Sequence, residues 1–339
     1  MEPSKLQDSG GEESVTELTE RPIGRRRRLT IRGSGRTVLG VYVFLVILLL
    51  ASRAISPAFG SISFARTVIA LSAFTAVVAF GQFIVVLTGG IDLSIPNIMA
   101  LVGVMLTGLS LGQDGRVWWV LPTVLVVGSL IGMVNGLGVV YLSLSPVVMT
   151  LAVNVVLSGV ILVYTAGTPK GGTPQLVINA IQGRAFGGTI PNTIILVVFF
   201  LIVGSLLMNL TVFGRRVYAI GSNRQVAFLS GVRVGPMLIA VYTLSGLSSA
   251  IGGVMLAGYG NTAYLGMGDP YLLLSLAAVV VGGCHILGGR GLYLGVVGGA
   301  IILTAIETTL SGTSLPQAVR QIIFAIVIIV AVLVARQES

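Results

Sequence analysis

Apolar residues in this chain come in long, nearly uninterrupted runs separated by short polar segments. About 20 apolar residues in a helix cross a bilayer with every backbone polar group satisfied, so such runs predict membrane-spanning helices. The candidate spans are 38–55, 67–88, 95–111, 117–142, 147–165, 192–213, 236–258, 272–287, 292–311 and 318–335. This pattern predicts an all-α polytopic membrane protein with about ten transmembrane helices.

Two of these spans, 95–111 and 272–287, are short and flanked by Gly-Gly pairs, which predicts broken or re-entrant segments. Gly-Gly at 89–90 and at 282–283 each follows one apolar run and precedes another. This parallel suggests an internal duplication with halves near 67–165 and 236–335, a common plan in transporters. Chance is the alternative, because Gly-Gly pairs are frequent in a chain with 46 glycines.

The composition agrees with a membrane protein and excludes a soluble enzyme, a disulfide scaffold and a disordered chain. Only 9% of the 339 residues are charged, against about 25% in soluble domains. A single cysteine, Cys284, permits no intrachain disulfide. The net charge of +9 comes from arginine-rich flanks of apolar spans and does not indicate nucleic-acid binding. Two regions follow: a disordered cytoplasmic tail over 1–36 and a transmembrane domain over 37–337.

The distribution of basic residues predicts the orientation. The tail holds seven arginines after its acidic first half, and its basic part is expected to lie on anionic lipid headgroups. With the tail inside, the segments predicted inside carry thirteen Arg, against six Lys or Arg outside. Both termini are therefore expected in the cytoplasm. The loop 214–235, with four arginines and no acid, is the segment most typical of the cytoplasmic face.

The first segment with candidate chemistry is 88–97 (TGGIDLSIPN), between two apolar runs. Gly-Gly is typical of a helix end, and Ser94 followed by Pro96 is typical of a helix start. Asp92 would be costly there unless it caps a helix, has a partner or faces a polar cavity. Two compatible interpretations remain: Asp92 caps the next half-helix, or it borders a solute pathway.

Three segments together identify a family. They are 89–94 (GGIDLS), 279–291 (VVVGGCHILGGRG) and 219–231 (AIGSNRQVAFLSG). These segments resemble, in this order, the two glycine-rich signatures and the cytoplasmic loop of the bacterial ATP-binding-cassette (ABC) importer permeases for ribose, xylose, galactose and related sugars. The resemblance covers roughly residues 40–335. It implies a permease in the bacterial inner membrane that translocates a monosaccharide or similar polar solute.

The chain departs from the family pattern in four places. Pro96-Asn97 stand where Gly-Ser is usual, Cys284-His285 replace small or hydroxyl residues, and Gln225 replaces a glutamate. Leu272 and Leu274 occupy positions where sugar permeases often carry acids. The last departure leaves the solute open, with autoinducer-type furanosyl compounds and polyols as alternatives to sugars.

The loop 214–235 predicts a short helix from Arg224 to Ser230, capped by Ser222 or Asn223 and ended by Gly231. So short a helix needs a docking partner to be stable. By the resemblance it is the coupling helix that fits a groove on the ATPase subunit. The residues expected to act in coupling are Arg224, Gln225, Phe228, Leu229 and Gly231. The alternative is an ordinary basic loop lying on lipid headgroups.

Polar side chains within or beside the spans are candidates for a solute pathway, since a neutral, hydroxyl-rich solute needs donors and acceptors more than fixed charge. The candidates are Gln82, Asp92, Ser94, Asn97 and Asn154. For any single one, hydrogen bonding between helices is the competing interpretation.

Two further features have structural interpretations. Glu307 and Arg320 lie at matching depth on either side of a turn near residue 314, which predicts an ion pair in the last hairpin. His285 is the only histidine and lacks neighbours at metal-ligand spacing, so it is interpreted as structural and no metal site is expected.

The chain contains no Gly-x-x-x-x-Gly-Lys-Ser/Thr loop and no recognisable catalytic set, so neither ATP binding nor catalysis is expected in it. The resemblance implies instead a cytoplasmic ATPase that binds ATP and Mg²⁺, a periplasmic solute-binding protein and a second permease subunit, identical or different. An integral-membrane enzyme is disfavoured. The strongest alternative is an ion-coupled secondary transporter, for which only Asp92, Asp269 and Glu307 supply acids in or beside the spans.

Overall fold

The computed structural model describes residues 31–54, 59–313, 315–316, 318–320, 322–326 and 329. This part of the chain is helical apart from one two-stranded hairpin and the connections. The helices are α1 (Ile31–Ser52), α2 (Ile62–Leu87), α3 (Ile95–Ser110), α4 (Val117–Tyr141), α5 (Pro146–Thr165), α6 (Gln175–Gln182), α7 (Asn192–Leu210), α8 (Val212–Ser222), α9 (Arg224–Leu229), α10 (Val234–Gly260), α11 (Asp269–Val281) and α12 (Tyr293–Ser311). A 3₁₀ turn, Asp114–Arg116, precedes α4, and β1 (Arg184–Ala185) pairs antiparallel with β2 (Ile190–Pro191).

The fold is that of an all-α polytopic membrane protein, as the apolar pattern predicts. Within the described residues, six helices are long and apolar enough to cross a membrane: α2, α4 with its 3₁₀ turn, α5, α7, α10 and α12. The apolar part of α1, together with α3 and α11, is shorter. Half of the predicted span 318–335 lies outside the described residues, so the number ten stays a prediction.

Several predicted boundaries shift. Helix α1 begins at Ile31, inside the predicted tail, whose residues 1–30 lie outside the described part of the chain. The span predicted over 272–287 stops at Val281. The loop 214–235 is mostly helical, because Thr211 ends α7 and its hydroxyl accepts from Gly214 N, which starts α8. The loop 166–191 contains α6 and the hairpin.

Helices α2 and α11 end in the same way. After α2, Gly89 has φ +78°, Gly89 N donates to Val86 O (2.8 Å) and Gly90 N donates to Val85 O (3.1 Å). After α11, Gly283 has φ +82°, and the N–H groups of Gly283 and of the next residue make the two equivalent backbone hydrogen bonds. This pair of bonds around a left-handed glycine is the Schellman motif. It explains why both helices stop short of the next apolar run.

Helix α2 lies at the centre of the bundle and packs against α7, α10, α11 and α12. Its residues from Ser72 to Leu87 are buried, whereas α4, α5 and α7 leave most of their apolar surface exposed. Tyr293 of α12 packs on Phe80 and Phe83 and donates its hydroxyl to Ala76 O (2.9 Å). A uniformly apolar helix can be buried or can face lipid, and hydropathy does not tell which. Here α2 is the buried one.

The loop 166–191 is fastened to the ends of two other elements. Thr173 Oγ1 donates to Ala257 O (2.8 Å) near the end of α10, and Leu176 N donates to Asp114 Oδ1 (2.8 Å) in the 3₁₀ turn before α4.

Helices α4 and α10 cross closely through glycines. Gly128, Gly132 and Gly136 recur every fourth residue on α4. Gly246 of α10 faces the first two, and Gly136 packs on Ile239. A Cβ on Gly246 would overlap the carbonyl oxygen of Gly128. Small residues at this spacing let two membrane helices approach until their backbones touch.

Replacing Gly246 with alanine is expected to lower the free energy of unfolding by about 1–3 kcal/mol, because α4 and α10 must separate to admit the methyl group. The measurement is thermal unfolding of the purified protein in detergent. Gly40→Ala is the matched control, since its Cβ meets nothing within 4 Å and helix propensity favours alanine. Equal melting temperatures for Gly246→Ala and the wild type would contradict this account of the crossing.

Candidate functional site

The three sequence motifs converge at the carboxyl end of α2. Gly289 N, in the second glycine-rich motif, donates to Leu87 O (3.0 Å). Arg224 Nη2, from the start of α9, donates to Thr88 O (3.2 Å). Gly221 of α8 packs so closely that a Cβ there would overlap Leu87 O. Segments about 130 and 200 residues apart in sequence therefore form one site around the end of a single helix.

The second glycine-rich motif is also fastened to α8. Tyr218 Oη donates to Gly291 O (2.7 Å). Burial of the side chain and the nearby Cys284 sulfur raise the pKa of the Tyr218 hydroxyl above its ordinary value. The hydroxyl therefore keeps the proton that this hydrogen bond needs at neutral pH.

Asp92 lies at the centre of a buried hydrogen-bond network. Its Oδ1 accepts from Ser94 N (3.0 Å) and Ser94 Oγ (2.6 Å), and its Oδ2 accepts from Ser245 Oγ (2.7 Å) on α10. Asn135 Nδ2 on α4 donates to Ser94 Oγ (2.8 Å). All four side chains are fully buried. The network joins the non-helical segment between α2 and α3, here called the Thr88–Ser94 segment, to two other helices.

Asp92 is thus a partnered residue in this structure, but it is not the cap of α3. Ser94 occupies the N-cap position and its side chain makes no capping bond, while Asp92 accepts from the backbone and hydroxyl of Ser94 two residues on. A carboxylate that accepts three hydrogen bonds in the protein interior satisfies the requirement for a buried acid in a membrane domain.

Two more contacts hold the Thr88–Ser94 segment. Leu93 N donates to Thr150 Oγ1 (3.0 Å) on α5. Gly90 packs against Tyr242 of α10, where a Cβ would lie 2.5 Å from Tyr242 Oη. The segment is therefore enclosed by α4, α5 and α10. Glycine is required at position 90, because Tyr242 approaches the backbone there too closely for a side chain.

The other predicted pathway residues lie in two places. Gln82 is buried within α2, and its Oε1 has no hydrogen-bond partner among the described residues. Asn97 of α3 and Asn154 of α5 form a half-buried pair, with Asn97 Nδ2 donating to Asn154 O (2.8 Å) and Asn154 Oδ1 (3.0 Å). Their role in solute passage stays a prediction.

Helix α9 starts and is capped as the sequence predicts, and it ends at Leu229, one residue before the predicted end at Ser230. Asn223 Oδ1 accepts from Gln225 N (2.9 Å) and Val226 N (3.0 Å), and Gly231 at φ +82° follows the last turn. Phe228 and Leu229 are 68% and 83% exposed. An open groove of about 470 Å³ runs beside them, lined by Arg224, Gln225, Phe228, Leu229 and Val234. Val226 is exposed as well, and a six-residue helix with three exposed large apolar side chains is typical of a docking element.

The described residues show no ion pair between Glu307 and Arg320. Glu307 is exposed on α12, Arg320 is half-buried, and the Nε of Arg320 is buried without a hydrogen-bond partner in the described part of the chain. Residues 314, 317 and 321 lie outside the described residues. Matching depth does not determine how each helix is rotated about its axis, so the pair predicted from spacing stays a prediction.

Cys284 and His285 occupy the turn after α11. Cys284 is buried, and His285 N donates to Arg290 O (3.0 Å) across the turn. Among the described residues, no group of three or more His, Cys, Asp or Glu side chains could hold a metal ion.

Sequence reasoning left four residues of this site out of its candidate set. Ser245 and Asn135 were recognisable only as polar residues within apolar spans, one signal among many. Thr150 and Thr88 act at helix ends, where threonine is ordinary. Their importance comes from their contacts with distant parts of the chain.

Comparison with known proteins agrees with the motifs. The family model described as "Branched-chain amino acid transport system / permease component" matches residues 64–332. The ribose import permease protein RbsC of Bacillus subtilis (strain 168) is 34% identical over 302 residues, covering 89% of this chain and 93% of the relative. The galactose/methyl galactoside import permease protein MglC of Escherichia coli (strain K12) is 31% identical over 284 residues, covering 79% and 84%. No solved structure matches the chain.

Proposed function

This chain belongs to the family of branched-chain amino acid transport system permease components, and we propose that it is the transmembrane permease of an ABC importer for a monosaccharide. The observation that carries the proposal is its similarity, over most of its length, to import permeases named for ribose, galactose and allose. The exposed, capped α9 supports it, because a permease without an ATP-binding loop needs a surface that receives force from a partner.

In the proposed mechanism this chain supplies the path and its partners supply the energy and the solute. A periplasmic binding protein delivers the solute to the outer face. A cytoplasmic ATPase binds ATP and Mg²⁺, and its closure moves α9. Two permease subunits enclose the path and alternate between outward-facing and inward-facing states.

The proposed topology has about ten spans in the inner membrane, with both termini in the cytoplasm. The excess of arginine in the inside segments supports this orientation. The Thr88–Ser94 segment, α8, α9 and the glycine-rich turn after α11 then lie together near the cytoplasmic surface, and the loop 166–191 lies outside. The cluster of contacts at the end of α2 is consistent with this arrangement.

The polar pair Asn97–Asn154 is proposed to face the solute path. Helix α5 is largely exposed and apolar, yet it carries a half-buried asparagine paired with another. Lipid is a poor environment for such a pair, whereas a path between two permease copies suits it. Gln82, Asp92 and Ser94 are buried in this conformation, so they are proposed to act on the path from inside the bundle.

Asn154→Leu is expected to lower the initial rate of solute uptake about three- to tenfold at equal membrane levels, because the path loses a donor and an acceptor. Val198→Leu, an exposed apolar exchange on α7, is the control and should leave uptake unchanged. Initial uptake of radiolabelled ribose, galactose and allose into vesicles provides the measurement. Unchanged uptake by Asn154→Leu would remove this pair from the path.

The proposed function itself is tested with vesicles that hold the full complex of this chain, the ATPase encoded beside it and the binding protein. Uptake that requires ATP on the ATPase side and survives an uncoupler supports the importer. Uptake that needs no ATP and stops with the uncoupler would establish the ion-coupled secondary transporter instead. Ligand binding by the purified binding protein distinguishes a sugar from a furanosyl compound or a polyol.

A further inference from the structure

Arg224 begins α9, yet its side chain points toward the membrane domain. Asn223 caps the helix, so Arg224 is its first residue and its backbone moves with α9. Its Nη2 donates to Thr88 O (3.2 Å), the carbonyl of the residue that ends α2. The carboxyl end of a helix carries partial negative charge, and a guanidinium donor there forms a charge-assisted bond. Arg224 therefore links the proposed docking helix directly to the Thr88–Ser94 segment.

The Thr88–Ser94 segment can transmit a displacement of Thr88, because its other end is hydrogen-bonded to α4 and α10. Four residues beyond Thr88, Asp92 accepts from Ser245 Oγ (2.7 Å) on α10, and Ser94 Oγ accepts from Asn135 Nδ2 (2.8 Å) on α4. Between these anchors Gly90 packs against Tyr242. Contiguous chains of packed and hydrogen-bonded groups such as this one can carry energetic coupling between two sites.

We infer that Arg224 is a positioning residue that transmits the movement of α9 through the Thr88 carbonyl to the Asp92 network, and so to α4 and α10. The inference rests on the proposed function, since it assumes that the ATPase moves α9. It differs from the sequence-based expectation, in which Arg224 contributes to ATPase docking. In this structure Arg224 lines the groove beside α9 together with Phe228 and Leu229, and its Nη2 also bonds inward to Thr88 O.

The test separates docking from transmission in the complete complex. Arg224→Gln removes the charge and shortens the donor, whereas Arg224→Lys keeps a cationic donor. Each variant is assayed in proteoliposomes for capture of the ATPase encoded beside the chain, for ATP hydrolysis and for uptake of radiolabelled ribose, galactose and allose. Arg216→Gln is the matched control, because Arg216 is an exposed arginine of α8 outside the groove.

The expected result is uncoupling. Arg224→Gln captures the ATPase within twofold of the wild type and hydrolyses ATP, but it transports at least tenfold less solute per ATP. Arg224→Lys retains at least one third of the wild-type ratio, and Arg216→Gln matches the wild type. Capture of the ATPase by Arg224→Gln shows that its low ratio does not come from a misfolded chain, and rescue by lysine shows that the cationic donor is what transport requires.

Two results would overturn the inference. Transport per ATP at the wild-type level in Arg224→Gln would show that the Thr88 contact carries no movement. Loss of ATPase capture in that variant would make Arg224 a docking residue. Failure of the wild-type chain to capture the ATPase is a different result, since it would remove the proposed function as well.

Discussion

Replacing Leu229 with aspartate is expected to reduce ATP-driven uptake at least a hundredfold while insertion into the membrane stays normal. Leu229 is the most exposed large apolar side chain of α9 and lines its groove. At a docked interface the new carboxylate would be buried without a partner, which costs about 3–5 kcal/mol. A loss of that size corresponds to a factor of about 10² to 10³ in the affinity for the ATPase.

The measurement is the apparent affinity of the ATPase for the permease in proteoliposomes, together with the uptake rate. Phe228→Asp should behave like Leu229→Asp, because its side chain lines the same groove. Val212→Asp is the control: it adds the same charge to an exposed apolar position at the start of α8, outside the groove. Wild-type uptake with Leu229→Asp would show that α9 is an ordinary cytoplasmic loop element and not the docking helix.

Asp92→Ala is expected to be the most destabilising single change in the membrane domain, lowering the free energy of unfolding by about 3–5 kcal/mol. The carboxylate accepts from Ser94 N, Ser94 Oγ and Ser245 Oγ in a fully buried site. Each buried donor left without an acceptor costs about 1–3 kcal/mol. Asp92→Asn should cost less, because its amide oxygen still accepts.

Thermal unfolding in detergent measures this effect. A loss of 3–5 kcal/mol corresponds to a fall in the melting temperature on the order of 10 °C. Asp114→Ala is the matched control, since Asp114 is exposed and accepts one hydrogen bond, from Leu176 N. If Asp92→Ala unfolded at the wild-type temperature, the network would not stabilise the fold, and Asp92 would have to act in transport alone.

Much of this protein could be predicted from local sequence. The bilayer requires long apolar helices with internal backbone bonds, so hydropathy alone indicates the class of fold. Helix caps depend on residues within a few positions of one another, which is why α9, between Asn223 and Gly231, was predicted to within one residue. The glycine-rich signatures identified the family for the same reason, because each is contiguous along the chain.

Rotation and contact of the helices could not be predicted in this way. Hydropathy records a preference for an apolar environment, and in a membrane both lipid and the protein core satisfy it. Burial of α2 and exposure of α5 therefore carry no distinct signature. The predicted pair Glu307–Arg320 stays a prediction for the same reason, since equal depth leaves the facing sides of two helices undetermined.

Local sequence thus determined the class of fold, the family signatures and the capped helix α9, whereas the tertiary structure alone decided what those elements are connected to. Asp92 meets Ser245 across 153 residues, and Arg224 meets Thr88 across 136. No spacing rule relates such positions, because their distance depends on how every intervening helix packs. Local hydrogen bonds and the transfer of apolar side chains out of water act on each segment separately. Only close packing of the whole bundle brings distant polar groups within hydrogen-bonding distance.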